Sequence, residues 1–144
     1  MIYIEDVALE EMFEDALHGF PFECCGFLFG VEENDSRSIS LIMRVTNISK
    51  EDQRRRFSIS AADYLQAENY ADENNLSLLG IYHSHPNYPA VPSETDRLAA
   101  QPYFSYVIIS ILDRKISHVR SWRLNDQNQF EEESISQSIS TTKK

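Results

Sequence analysis

The chain is poor in cysteine: two residues in 144, and these are neighbours, Cys24 and Cys25. Adjacent thiols cannot close a useful loop, so a disulfide framework is excluded, stability has to come from a hydrophobic core, and a reducing compartment suits the chain. Long apolar runs are also missing, and nothing approaches the roughly 18–20 residues of a membrane span. Basic residues are few: 13 Lys+Arg against 23 Asp+Glu give a net charge of −10, and none precedes Arg37. That balance argues against a protein that tracks nucleic-acid phosphates. The one basic cluster, Arg54-Arg55-Arg56, reads as a solvated loop rather than a binding patch. Met1 to Asp6 carries neither a basic n-region nor an apolar h-region, and a soluble, cytoplasmic protein is expected.

What is present suffices for one domain with a real core, since 42% of the residues are hydrophobic and a chain of this size buries roughly 68–70% of the surface its unfolded form exposes. After a β-like start at Ile2–Ile4, the helical spacing of Leu9, Met12, Phe13, Ala16, Leu17 and Phe20 predicts an amphipathic helix, with Asp6 as N-cap and Pro21 as its stop. Strands are expected over Cys24–Val31 and Ser38–Ile48, with a polar loop from Glu32 to Arg37 between them, and Phe57–Ser60 reads as a further short strand. Ser60 opens a second helix to about Glu73. Leu76–His83, Tyr103–Leu112 and Ile116–Leu124 read as strands, Ser93–Ala100 as a short helix, and Gln129–Glu132 as an edge strand. The order predicts an α+β (mixed α/β) single domain over residues 1–133. Residues 134–144, rich in Ser, Thr and Gln, are expected to form a disordered tail.

His83 and His85 stand two apart at a strand end, where alternation sends both imidazoles to the same side. Such a pair can chelate one ion. With a carboxylate it suits zinc, at ligand distances of about 2.0–2.2 Å, and three protein ligands plus a water describe a catalytic rather than a structural site. Asp96 is the candidate third ligand, because the proline-rich Pro86–Pro92 segment can turn the chain back and present the first turn of the next helix. Each residue alone has a plainer reading. Two histidines at a strand end can be merely hydrogen-bonded, Ser93-x-x-Asp96 has the pattern of a helix capping box, Glu23 is an acid at a strand boundary, and Cys24 and Cys25 read as small core residues. Together the fixed positions arise by chance in about one chain in several thousand of this length.

In context the residues read His83-Ser84-His85-Pro86, then Ala90-Val91-Pro92-Ser93-Glu94-Thr95-Asp96, which resembles the signature of the JAMM (MPN+) zinc metallopeptidases. Upstream, Pro21-Phe22-Glu23-Cys24-Cys25-Gly26-Phe27-Leu28 is similar to the segment that supplies that family's catalytic glutamate. Tyr106-Val107-Ile108-Ile109-Ser110 and Val119-Arg120-Ser121-Trp122 fit its later strands. The resemblance implies a curved mixed β-sheet flanked by helices, of the cytidine-deaminase-like kind. It implies one Zn2+ per chain on His83, His85 and Asp96, Glu23 as the group that takes a proton from water and returns it to the leaving amine, and Ser93 as donor to the developing oxyanion. By strand alternation Ser84 points to the opposite face and is structural. The compact length resembles the small prokaryotic members that cleave after the C-terminal Gly-Gly of ubiquitin-like or sulfur-carrier proteins, which implies such a partner and a monomer or homodimer. A non-catalytic MPN-type interaction scaffold is the alternative, although such relatives typically lack the metal ligands. A DNA-repair-associated branch usually has Asn between the histidines and Ser-Gly after the proline, where this chain has Ser84 and Asn87-Tyr88.

Overall fold

The computed structural model describes residues 1–137. Along them run β1 (Ile2–Ile4), α1 (Asp6–Gly19), β2 (Cys25–Glu33), β3 (Ser36–Val45), α2 (Ala61–Glu73), β4 (Ser77–Pro86), α3 (Glu94–Ala99), β5 (Ser105–Leu112), β6 (Lys115–Leu124), β7 (Phe130–Glu133) and β8 (Ile135–Gln137). The strands make one sheet in the order β7-β6-β5-β4-β2-β3-β1-β8. Tight turns give antiparallel neighbours, as in β2–β3 and β5–β6. The segment carrying α3 crosses over the sheet, which makes β5 parallel to β4. Register shifts at Leu28/Phe29, Phe29/Gly30 and Ser110/Ile111 mark bulges, and bulges bend and twist the strands that carry them. The outcome is the expected mixed α+β domain with a curved sheet.

Alternation along the strands feeds two cores. On one face Ile4, Leu28, Ile39, Tyr82 and Ile109 meet Ala8, Leu9, Met12 and Ala16 of α1. On the other, Phe27, Phe29, Ile81 and Tyr106 meet Ala67 and Ala71 of α2. Each fully buried large apolar side chain contributes about 1.5–3 kcal/mol relative to exposure. Gly26 is required by close approach, since a Cβ there would lie 2.4 Å from the Met43 carbonyl oxygen and from the Tyr82 ring. Among the described residues no helix is long and apolar enough to cross a membrane.

Some local expectations are corrected. The predicted Glu32–Arg37 loop is a two-residue turn at Asn34-Asp35, with both strands running through the polar residues; Asn34 takes φ 55°, a left-handed conformation asparagine tolerates. Asp6 is the first residue of α1 rather than its cap; Glu5 holds the cap position without a side-chain bond. Phe57–Ser60 is irregular, tied to the sheet region by the Ile48 N–H donating to the Ser58 carbonyl at 2.9 Å. Regular structure continues past residue 133, where the sequence places the start of the tail. Ile135–Gln137 add β8, parallel to β1, because the edge of β1 offers unpaired backbone groups to any segment that reaches it. The rest of the predicted tail, residues 138–144, lies outside the described residues.

Candidate metal and catalytic site

Strand register brings Glu23 to the histidines. Cys25 pairs with His83 in the antiparallel β2–β4 ladder, and counting two residues past its end sets Glu23 beside His85. The contact is prolonged by the Cys24 N–H donating to Ser84 Oγ at 2.9 Å and the Ser84 N–H donating to the Cys24 carbonyl at 3.2 Å. Alternation puts Glu23, His83 and His85 on the face of Phe27 and Ile81, while Ser84 points the other way. The 47–56 loop holds the Glu23 backbone, whose N–H donates to Gln53 O at 2.7 Å and whose carbonyl accepts from Asn47 Nδ2 at 3.2 Å.

Beyond His85 the chain turns back through Asn87, at φ 67°. This lays the Tyr88 ring on His85, centroids 4.1 Å apart and 14° from parallel, and lets the Tyr88 hydroxyl donate to Glu23 Oε2. His85 Nδ1 is 2.7 Å from the Pro89 carbonyl oxygen. A carbonyl only accepts, so the proton sits on Nδ1 and Nε2 presents a lone pair. On the other side Phe57 stacks on His83 at 4.4 Å.

The third group arrives on α3. Ser93 Oγ accepts from the Asp96 N–H at 3.0 Å and Asp96 Oδ2 accepts from the Ser93 N–H at 2.9 Å, a complete capping box. The same Oδ2 stands 3.4 Å from His83 Nε2 and 3.3 Å from His85 Nε2, which are 3.1 Å from each other. Capping and convergence are therefore both realised by one aspartate. Atoms about 2.0–2.1 Å from a shared tetrahedral centre lie about 3.3 Å apart, which is the size of this triangle. His85 Nε2 and Asp96 Oδ2 bring lone pairs and no proton to it. The residues thus fit a zinc site.

Burial shapes the charges. His83 is 1% exposed, and desolvation lowers its pKa, favouring the neutral imidazole that ligates metals. Burial works to raise the Asp96 pKa, but the His83 ring, the close approach of both imidazoles and the hydrogen bond from the Ser93 N–H outweigh it and hold the carboxyl well below the usual carboxylate range. Glu23, 4% exposed, is pushed up to about 8 by desolvation, with the Tyr88 hydrogen bond pulling the other way and the Asp96 charge adding to the rise. Glu23 Oε1 and His83 Nδ1 are the buried side-chain polar atoms without a protein partner among the described residues. Both lie in this cluster, where folded proteins leave few such atoms without a reason.

Residues 5–125 match the family model described as prokaryotic homologs of the JAB domain. The chain belongs to the JAB family. This JAB protein is similar to the desampylase of Pyrococcus furiosus, 29% identical over 113 residues that cover 78% of this chain and 74% of that one. It is also similar to the CysO-cysteine peptidase of Mycobacterium tuberculosis, 31% identical over 116 residues covering 80% and 77% of the two chains. A solution structure of a Desulfitobacterium hafniense protein superposes with TM-score 0.84 at 31% identity, covering 96% of this JAB chain and 93% of its own. The family resemblance read from the motifs therefore holds.

Sequence reasoning missed Tyr88 and Phe57, the two rings that clamp the histidines. Tyr88 lies in a loop where no periodicity applies, and its partner Glu23 is 65 residues away. Its only mark is its place directly after His85-Pro86-Asn87.

Proposed function

We propose that this JAB protein is a JAMM-type zinc metallopeptidase that hydrolyses the peptide or isopeptide bond following the C-terminal Gly-Gly of a ubiquitin-like or sulfur-carrier protein, acting in the cytoplasm. One observation carries the reading: His83 Nε2, His85 Nε2 and Asp96 Oδ2 converge at 3.1–3.4 Å on the face that also buries Glu23. Similarity to proteins named desampylase and CysO-cysteine peptidase supports the substrate class.

His83, His85 and Asp96 would hold the ion. A bound zinc supplies Lewis acidity, which makes water nucleophilic near neutral pH and polarises a carbonyl. Glu23 takes the proton of the attacking water at its free Oε1, while Tyr88 fixes Oε2. That proton then passes from the Glu23 carboxyl to the leaving nitrogen as the C–N bond breaks. Ser93 Oγ accepts from the Asp96 N–H, which leaves its own proton to donate to the carbonyl oxygen as charge grows there.

The test uses ubiquitin-like carriers extended past Gly-Gly by one cysteine, or joined there to a lysine side chain, followed by mass spectrometry. Zinc-loaded protein should trim the carrier to its terminal glycine, and chelator-treated protein should not until zinc is restored. Undiminished cleavage after complete metal removal would refute the reading.

A further inference from the structure

We propose that the cavity beside His83 and Asp96 receives the leaving residue, and that Arg56 at its rim binds that residue's free α-carboxylate, so that the preferred substrate carries a single small apolar amino acid after Gly-Gly. The inference rests on the peptidase reading above and narrows it.

The cavity, of about 140 Å³, lies between α2 and α3 over β4 and β5, and Phe57, Tyr64, Ile81 and Tyr106 line it together with His83 and Asp96. At about 30 Å³ per water it has room for one small side chain and not for a folded partner. Glycine has no side chain to place there. With Gly-Gly on the acyl side of the bond, the side chain nearest the reacting carbonyl belongs to the leaving residue. Ser93, assigned above to the carbonyl oxygen, lines a different depression with Pro92, Trp122 and Phe130. The cavity that shares His83 and Asp96 with the converging ligands is thus distinct from the depression that Ser93 lines, and the first suits the amine component.

Arg56 supplies the recognition. Among the described residues it is the one Lys or Arg lining the cavity, in a chain of net charge −10. Its side chain donates to the Arg55 carbonyl at 2.9 Å and meets Glu51 at 3.9 Å, a carboxylate that is itself 76% exposed. So exposed a pair contributes little and exchanges readily for a ligand. A guanidinium offers two parallel N–H donors to a carboxylate, the geometry an α-carboxylate needs. Its positive charge reaches Glu23 and Tyr88, where it opposes the upward push of burial on both groups. The neighbouring arginines differ: Arg54 and Arg55 line a separate depression with Pro86 and Asn87, and Arg54 is forked onto Asp52 at 3.0 and 3.1 Å. A lysine joined through its side chain to Gly-Gly would fill the cavity with its aliphatic stem and bring no carboxylate to Arg56.

The experiment compares one ubiquitin-like carrier ending Gly-Gly-Cys with the same carrier ending in the cysteine carboxamide, both cleaved by the zinc-loaded full chain. Wild type should favour the free acid by at least about tenfold in kcat/KM, mainly through KM. Arg56→Gln should bring the ratio to about one, and Arg56→Lys should restore part of it. Equal cleavage of acid and amide by wild type, or an unchanged ratio in folded R56Q, overturns the inference while leaving the peptidase reading intact. No cleavage of either carrier by zinc-loaded wild type removes that reading and this inference together. The wild-type comparison stands even if the variants fail to fold.

Discussion

Two buried polar clusters occupy opposite ends of β4, and they are finished to different degrees. Near its start, Arg37 is 1% exposed and each of its three guanidinium nitrogens donates a hydrogen bond. Nε donates to Glu32 Oε2 at 2.9 Å, Nη1 to the Leu79 carbonyl at 2.8 Å and Ser105 Oγ at 3.1 Å, and Nη2 to the Tyr103 carbonyl at 2.7 Å. The Tyr103 ring lies beneath at 4.5 Å. This cluster ties β3 to β4 and to the approach to β5, and leaves little for a ligand to take. At the other end, Glu23 Oε1 and His83 Nδ1 are buried as well and have no protein partner among the described residues. A buried charge by itself does not mark a reactive centre; incomplete hydrogen bonding around converging acceptors does.

The sharpest way to break this contrast is Glu23→Gln, which removes the proton acceptor and no ligand. Turnover of the Gly-Gly-extended carrier should fall by about 10³-fold or more, with zinc content, measured by mass spectrometry of the metal, as in wild type. Full activity in this variant would end the catalytic assignment. Next comes Arg37→Met at the closed cluster. It removes the buried donors to the Leu79 and Tyr103 carbonyls and leaves Glu32 without its partner, and should cost roughly 3–5 kcal/mol in urea denaturation, while the protein that remains folded keeps wild-type kcat. Loss of kcat without loss of stability would show that the two ends of β4 are not separable.

A smaller effect, about tenfold in kcat/KM, is expected for Tyr88→Phe, which keeps the ring stacked on His85 and removes its hydroxyl. Because that hydrogen bond lowers the Glu23 pKa, its loss should move the acid limb of the pH–rate profile to higher pH. An unmoved limb would separate Tyr88 from Glu23. The smallest concerns stability without metal. Glu23 has an ordinary value of 4.5 and is raised in the fold to about 8, so the fold favours its neutral form. The stabilisation is fully present below pH 4.5 and is lost as pH rises through about 8. Metal-free Glu23→Gln should therefore gain in Tm on metal-free wild type as the pH is raised from 4.5 towards 8. A difference that does not vary with pH would mean that the carboxyl is solvated.

Much of this was legible in the residues, for identifiable reasons. His83, His85 and Asp96 fall within fourteen consecutive positions, so strand alternation and one helix cap were enough to anticipate their meeting. Glu23 needed the family resemblance, because the register that sets it beside His85 depends on which strands pair. Arg37 was read as part of a polar loop, since charge predicts exposure and nothing local signals that four acceptors wait around it. Strand β8 was read as tail because three residues carry no usable alternation, and its place is decided by the edge of β1. Arg56 was grouped with its two neighbours as a solvated run, although only it lines the cavity. Contacts between distant segments decided each of these.

Asp96 Oδ2 serves two masters, the Ser93 N–H that begins α3 and the two imidazole nitrogens. The order of a six-residue helix and the affinity for an ion are then a single linked equilibrium. Whatever stiffens the helix start tightens metal retention by the same free energy, and a demetallated chain should show this reciprocity first as faster amide exchange across residues 93–99.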